Sequence, residues 1–145
     1  MKVEVLTKDG WRPAEQPELL HQVPTTDDVI RALSTIRTAV VEDEYKLHDT
    51  VAKHLAAAGI PFEREYRLGP RNRIDFYIPG GTGIEVKKGK PARAQVIAQL
   101  ERYTRFDKIK AVIFVIERSM DIPEELNGKT CICFPLNKLW GVALP

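Results

Sequence analysis

Residues 73–87 read RIDFYIPGGTGIEVK, with apolar and polar residues alternating on both sides of a Pro-Gly-Gly-Thr sequence. A period of two interrupted in this way predicts two β-strands joined by a turn. Residues two apart on a strand project from the same face, so Glu85 and Lys87 project together. Antiparallel pairing through the turn would bring Asp75, ten residues before Glu85, to the same sheet surface. We therefore expect two carboxylates and an ammonium group to converge there.

The chemistry of such a group points to a divalent cation. Two carboxylates that share one site need either a cation between them or a raised pKa. Oxygen ligands of this number suit Mg²⁺, which keeps several waters and takes further ligands from a substrate phosphate. Lys87 would position the attacking water and offset developing negative charge. The sequence therefore predicts a Mg²⁺ site, which Mn²⁺ would also fill.

Around this hairpin the chain alternates between helical and strand patterning. Helical spacing continues from Thr25 or Thr26 to Gly59, and the β-branched run at 35–41 favours two helices rather than one. Pro91 opens another helix that extends to about Phe106. The apolar run at 111–116 is typical of a strand buried on both faces. Further strands are predicted at 3–6, 11–13, 62–68, 73–78, 83–88, 129–134 and 139–144, the first two forming a hairpin.

Two polar residues fall on apolar helix faces. A helical wheel of residues 40–58 puts Glu44 within the inward-facing stripe of Val40, Leu47, Val51, Leu55 and Ala58. Gln99 falls within the stripe of Ala92, Val96, Leu100, Tyr103 and Phe106. A buried carboxylate is costly unless it meets a cation, a metal or donors. A structural ion pair or a satisfied amide would explain either residue alone, but both helices flank the predicted site. His48, one turn after Glu44, could enter the site, although the pattern favours a partly buried core residue.

Basic residues concentrate between positions 64 and 105, although the formal net charge is only +2. A local basic face on a nearly neutral protein suits a phosphate-bearing partner. We expect phosphate contacts from Arg73, Lys88, Lys90 and Arg93. For Arg73, an ion pair with Glu85 explains the sequence as well as a phosphate contact does. For Lys88, Lys90 and Arg93, a solvated charged turn is an equal alternative.

Four parts of the chain, taken in order, resemble the motifs of the PD-(D/E)xK nuclease superfamily. They are Glu44, Arg73–Phe76 (RIDF), Gly83–Lys87 (GIEVK) and Gln99–Tyr103 (QLERY). That resemblance implies an α/β (α+β) fold with a restriction-endonuclease-like αβββαβ core, in which helices flank a central mixed sheet. In the family pattern a proline stands where this chain has Ile74. The resemblance implies a metal-dependent endonuclease that hydrolyses phosphodiester bonds of DNA.

The same resemblance assigns roles to the matched residues. Asp75 and Glu85 would bind the metal together with the backbone carbonyl of Val86. Lys87 would be the catalytic lysine, and Glu44 an accessory acid or a further metal ligand. Gln99 would help to position the site or its nucleic acid.

A length of 145 residues fits a single domain. We expect an N-terminal extension at 1–37, a hairpin and a helix packed on the core, followed by the nuclease-like core at 38–145. No apolar run approaches the ~20 residues that span a bilayer, and the first residues do not predict a signal peptide. We therefore expect a cytoplasmic protein, in which the thiols of Cys131 and Cys133 are reduced.

Three alternatives remain compatible with the sequence. The fold could serve a nucleic-acid-binding protein without activity, a structure-selective enzyme resembling a junction resolvase, or a small interaction protein. The second of these requires a homodimer, which the sequence leaves open. The intact set of Asp75, Glu85 and Lys87 favours the active nuclease, because an inactive descendant has no need of a mutually oriented acid pair.

Overall fold

The structure is a computed structural model that describes residues 23–37 and 43–137, together with the backbone of 4–7 and 10–13. The predicted strand at 139–144 and Val40 lie outside the described residues. The strands are β1 Glu4–Thr7, β2 Gly10–Pro13, β3 Glu63–Gly69, β4 Asn72–Ile78, β5 Thr82–Lys87, β6 Ala111–Ile116, β7 Glu125–Leu126 and β8 Lys129–Pro135. The helices are α1 Thr26–Leu33, α2 Glu44–Ala57 and α3 Arg93–Thr104.

Six strands form one mixed sheet in the order β3-β4-β5-β6-β8-β7. The first three are antiparallel neighbours, whereas β5, β6 and β8 run parallel to one another. Parallel pairing of β5 with β6 requires a crossover, and α3 provides it. The chain is therefore an α+β protein with a mixed sheet and helices, as the sequence predicted at this coarser level. The β1–β2 pair forms a separate antiparallel hairpin, which was also predicted.

The sheet separates two apolar clusters. One contains buried side chains of α1 and α2, among them Val29 and Val51, and the other contains Leu100 of α3. Strand β6 contributes alternately to both, with Ile113 in the first cluster and Phe114 in the second. The prediction that 111–116 is buried on both faces is thus confirmed, and the bounds are those predicted.

The turn between β4 and β5 depends on its two glycines. Gly80 and Gly81 have φ angles of 102° and 107°, a region that glycine adopts without steric cost. The Gly81 N–H donates to the Ile78 carbonyl at 3.0 Å, which closes the turn. Backbone pairing between the strands then extends only from Ile78–Thr82 to Phe76–Ile84. The next residues along the two strands are Asp75 and Glu85.

The helix boundaries correct two expectations about buried faces. Helix α2 begins at Glu44, capped by Asp43, so Glu44 is exposed in the first turn and not within the inward-facing stripe. Ala58 follows the helix and is exposed as well, whereas Leu47, Val51 and Leu55 are buried as predicted. Helix α3 begins at Arg93 with Ala92 as an exposed N-cap, so Ala92 is not buried. Val96, Leu100 and Tyr103 are buried as expected, and Phe106 is half-buried.

The break between the two N-terminal helices is confirmed, because α1 ends at Leu33 and α2 begins at Glu44. Thr25 caps α1: its hydroxyl accepts from the Asp28 N–H, and the Asp28 carboxylate accepts from the Thr25 N–H. Among the described helices none is long and apolar enough to cross a bilayer.

Candidate active site

Strands β4 and β5 separate after the Phe76–Ile84 pair, and two carboxylates occupy the place of the missing backbone bonds. The Asp75 N–H donates to Glu85 Oε1 at 3.2 Å, and the Val86 N–H donates to Asp75 Oδ2 at 2.8 Å. Each side chain thus accepts from a backbone group that a continued ladder would have satisfied. The predicted convergence of Asp75 and Glu85 is therefore present in the structure.

Glu85 is almost completely enclosed, with 2% of its surface exposed. Its Oε2 lies 3.7 Å from Lys87 Nζ and 3.2 Å from the Tyr103 hydroxyl. Burial, followed by the charge of Asp75, raises the pKa of Glu85 to about 8, although Lys87 and the hydrogen bonds oppose the rise. Near neutral pH this carboxylate consequently favours a bound proton or a nearby cation.

Asp75 is half-buried and is contacted from helix α2. Burial raises its pKa, against the opposing effects of the Val86 hydrogen bond, His48 and Lys87. His48 Nε2 lies 3.4 Å from Asp75 Oδ2, and its ring packs at 5.8 Å from the ring of Phe76. His48 is therefore part of the site, where the sequence favoured a core position.

Gln99 reaches the carboxylates through Tyr103. The Gln99 amide donates to the Tyr103 hydroxyl at 2.8 Å, and that hydroxyl lies 3.0 Å from the Arg73 carbonyl as well as close to Glu85. Burial, followed by the charges of Glu85 and Asp75, raises the pKa of Tyr103, so the phenol keeps its proton and acts as a donor. Sequence reasoning placed Tyr103 in the buried stripe of the helix and, although it ends the QLERY motif, gave it no role in the site. Its spacing of one helical turn from Gln99 was the available signal.

Glu44 lies near the site without joining the carboxylate pair. Its Oε1 accepts from the Lys88 N–H at 3.2 Å, which links the start of α2 to the end of β5. In the described structure Glu44 is not within hydrogen-bonding distance of Asp75 or Glu85. Its position is compatible with an accessory acid, whereas direct metal ligation stays a prediction.

The predicted phosphate contacts occupy different surroundings. Arg93 donates to the Asp121 carbonyl at 2.6 Å and lies 3.9 Å from the Asp121 carboxylate. Lys88 and Lys90 are exposed in the connection between β5 and α3. Arg73 is exposed, and among the described ion pairs it is Lys87, not Arg73, that contacts Glu85.

Few protein groups in this site are suitable metal ligands. Among residues 23–37 and 43–137, no cluster of three or more His, Cys, Asp and Glu side chains is arranged to hold a metal ion. A closed zinc site of four protein ligands is thus not formed by the described side chains. The enclosed Glu85 and the half-buried Asp75, both with raised pKa values, still suit Mg²⁺, which takes one or two protein carboxylates and completes its shell with water and phosphate.

Comparison of the chain with protein-family models, with curated proteins and with solved structures yields no match.

Proposed function

We propose that the protein is a Mg²⁺-dependent nuclease that hydrolyses phosphodiester bonds of DNA, with a restriction-endonuclease-like core of the PD-(D/E)xK kind. The observation that carries this proposal is the convergence of Asp75, Glu85 and Lys87 where β4 and β5 separate. The element order α2-β3-β4-β5-α3-β6 supports the proposed core, because it repeats the helix and strand order of that family.

The metal would be held by Asp75 and Glu85, with the Val86 carbonyl as the third protein ligand. When bound, Mg²⁺ supplies Lewis-acid stabilisation of the phosphodiester and lowers the pKa of water. Both carboxylates must give up any proton to bind it, so their raised pKa values make protons compete with the metal and should strengthen metal binding as the pH rises.

The remaining residues would act on the substrate or on the carboxylates. Lys87 is about one-third exposed, and its ammonium group would offset negative charge that develops on the phosphate. Tyr103 donates to Glu85 Oε2 and accepts from Gln99, so Gln99 would position Glu85 through Tyr103. His48 would orient Asp75 from the opposite side.

The test is a digestion panel of supercoiled, linear, single-stranded and branched DNA and of RNA, each with Mg²⁺, Mn²⁺ or EDTA. We expect cleavage of DNA with either metal and none with EDTA. Asp75→Ala, Glu85→Ala and Lys87→Ala should each lower the rate by on the order of 10²–10³-fold or more while the fold is kept. Asp107→Ala and Lys53→Ala remove the same charges from exposed positions and should cleave like the wild type.

Cleavage that persists in EDTA, or in the Glu85→Ala protein, would refute the assignment. Binding of DNA without cleavage of any substrate would favour the alternative, a nucleic-acid-binding protein on the same fold. Cleavage confined to branched DNA by a dimer would indicate a structure-selective enzyme.

A further inference from the structure

Four arginines line one groove beside the carboxylate site. Arg67, Arg71 and Arg73 come from β3, β4 and the turn between them, and Arg102 comes from α3. The groove has a volume of about 410 Å³, and no acidic side chain lines it. We call this feature the arginine groove. It differs from the basic set predicted from the sequence, with which it shares only Arg73.

Among the described residues, these four guanidinium groups have no acidic partner. In the described part of the chain no carboxylate lies within ion-pairing distance of any of them. Each of the four is exposed, so an anion from solution can reach it. Other arginines of the protein are paired, as in Arg31–Asp28, Arg64–Asp49, Arg93–Asp121 and Arg105–Glu101. Four like charges around one concave surface repel one another until an anion binds there.

Two local features, one of side-chain charge and one of backbone conformation, oppose this arrangement. Arg67 and Arg73 are direct partners across β3 and β4, and like charges in that position destabilise a sheet. Arg71 has a φ of 62°, in the left-handed region that favours glycine. Positions that break local rules in this way are expected at functional or strained sites.

The arginine groove adjoins the candidate active site. Tyr103, which contacts Glu85, and Gln99 both line it. A second cleft of about 410 Å³ contains Lys87 and shares Gln99 and Arg102 with the arginine groove. A ligand that lies over the carboxylates can therefore continue into the arginine groove without leaving the protein surface.

We propose that the arginine groove binds consecutive backbone phosphates of the nucleic acid on one side of the bond that is cut. The identity of the ligand rests on the proposed function, since a nuclease substrate must continue beyond the metal site. Guanidinium groups suit this role because their planar donors match two phosphate oxygens at once. The absence of acidic lining residues favours a polyanion over a mixed-charge protein surface.

The decisive variant is Arg67→Gln/Arg71→Gly, which removes two groove charges and also both local conflicts. Its melting temperature should equal or exceed that of the wild type, because glycine adopts φ 62° freely and the repulsion between Arg67 and Arg73 is gone. Arg31→Gln/Lys53→Gln is the matched control. It removes two charges from exposed positions on α1 and α2, each of which is paired with an acid.

Binding is measured by fluorescence anisotropy with labelled single-stranded and duplex DNA in EDTA over a salt series. Loss of two phosphate contacts should make the slope of log K against log salt shallower by about 1.8 for duplex and about 1.4 for single-stranded DNA. At 0.15 M salt the same loss corresponds to about 15- to 30-fold weaker binding. The control should keep the wild-type slope, and Arg102→Gln alone should show about half the change.

Equal slopes for the groove variant, Arg102→Gln and the control would overturn the proposal. A wild-type protein that binds neither DNA would overturn it as well and would leave an acidic protein surface as the ligand. The outcome is separable from that of the digestion panel. If the slopes change but no substrate is cleaved, the arginine groove binds phosphates and the proposed nuclease activity is wrong. If DNA is cleaved but the slopes do not change, the nuclease activity stands and the proposal for the arginine groove is wrong.

Discussion

Glu85 occupies a position that is unfavourable for a carboxylate unless a cation or a proton accompanies it. It is enclosed by the sheet and α3, faces the charge of Asp75, and has Lys87 as its nearest cation at 3.7 Å. An isolated carboxylate so placed costs several kcal/mol, and the protein instead holds its pKa near 8. Such perturbed pairs within a cleft are characteristic of functional sites.

Glu85 should make the stability of the metal-free protein depend on pH. Because the folded state holds the proton more tightly than the unfolded state, the stabilisation is complete below about pH 4.5 and is lost as the pH rises through about 8. The contribution is on the order of a few kcal/mol. In urea unfolding with EDTA, the free energy of unfolding should therefore fall across this range, and Glu85→Gln should flatten the fall.

Glu124→Gln serves as the control, since Glu124 is exposed, and it should keep the wild-type pH dependence. If Glu85→Gln and the wild type lose stability in parallel between pH 5 and 8.5, another group is responsible and the enclosed carboxylate has an ordinary pKa.

The residues of the site were predictable to different degrees. Asp75, Glu85 and Lys87 follow from strand periodicity, because a period of two determines which side chains share a face. Tyr103 and His48 did not stand out, since an aromatic ring on an apolar stripe fits a core equally well. Their polar atoms are recognisable as site groups only once the contacts with Glu85 and Asp75 are known.

Among the elements, the sequence predicted best the strand that an uninterrupted apolar run marks, and it predicted helix ends less well. Strand β6 has its predicted bounds, whereas the wheel that placed Glu44 in an apolar stripe failed because α2 begins at that residue. The wheel assumed a helical turn before Glu44, and Asp43 already caps the helix. Strand β7 was missed although Asn127-Gly128, with φ angles of 52° and 76°, is a strong hairpin signal.

The contact between α2 and the end of β5 gives a test of Glu44. In Glu44→Gln the amide oxygen still accepts from the Lys88 N–H, while the negative charge is lost. If Glu44 serves the site as an accessory acid, activity should fall by about 10- to 100-fold with little change in melting temperature. Activity is measured on the preferred DNA substrate at saturating Mg²⁺.

Glu44→Ala is the companion variant, because it removes the hydrogen bond together with the charge. A purely structural role predicts that Glu44→Gln cleaves like the wild type, and that Glu44→Ala loses melting temperature while each folded molecule keeps its activity.

The fold as a whole brings a charged site to the end of β5, which with β6 is one of the two buried central strands of the sheet. Helix α2 supplies His48 from one side and α3 supplies Tyr103 from the other, while the separation of β4 and β5 opens the sheet between them. The net charge of +2 gives the protein little long-range attraction for nucleic acid. Recognition of a polyanion would then depend on the arginine groove and the nearby lysines, and should be strongly sensitive to salt.

Metal binding should appear in the stability of the entire domain. A ligand that binds only the folded state at 100 times its Kd adds about 2.7 kcal/mol, which raises the Tm of a chain of this length by roughly 10 °C. Mg²⁺ must displace the proton of Glu85, so the rise in Tm at a fixed Mg²⁺ concentration should be larger at pH 8.5 than at pH 6.

The double variant Asp75→Asn/Glu85→Gln should show no rise in Tm with Mg²⁺. Its Tm without metal should equal or exceed that of the wild type, because the two like charges are gone. Calorimetry with Mg²⁺ or EDTA at both pH values makes the measurement. A larger rise at pH 6, or an equal rise in the double variant, would place the cation away from these carboxylates.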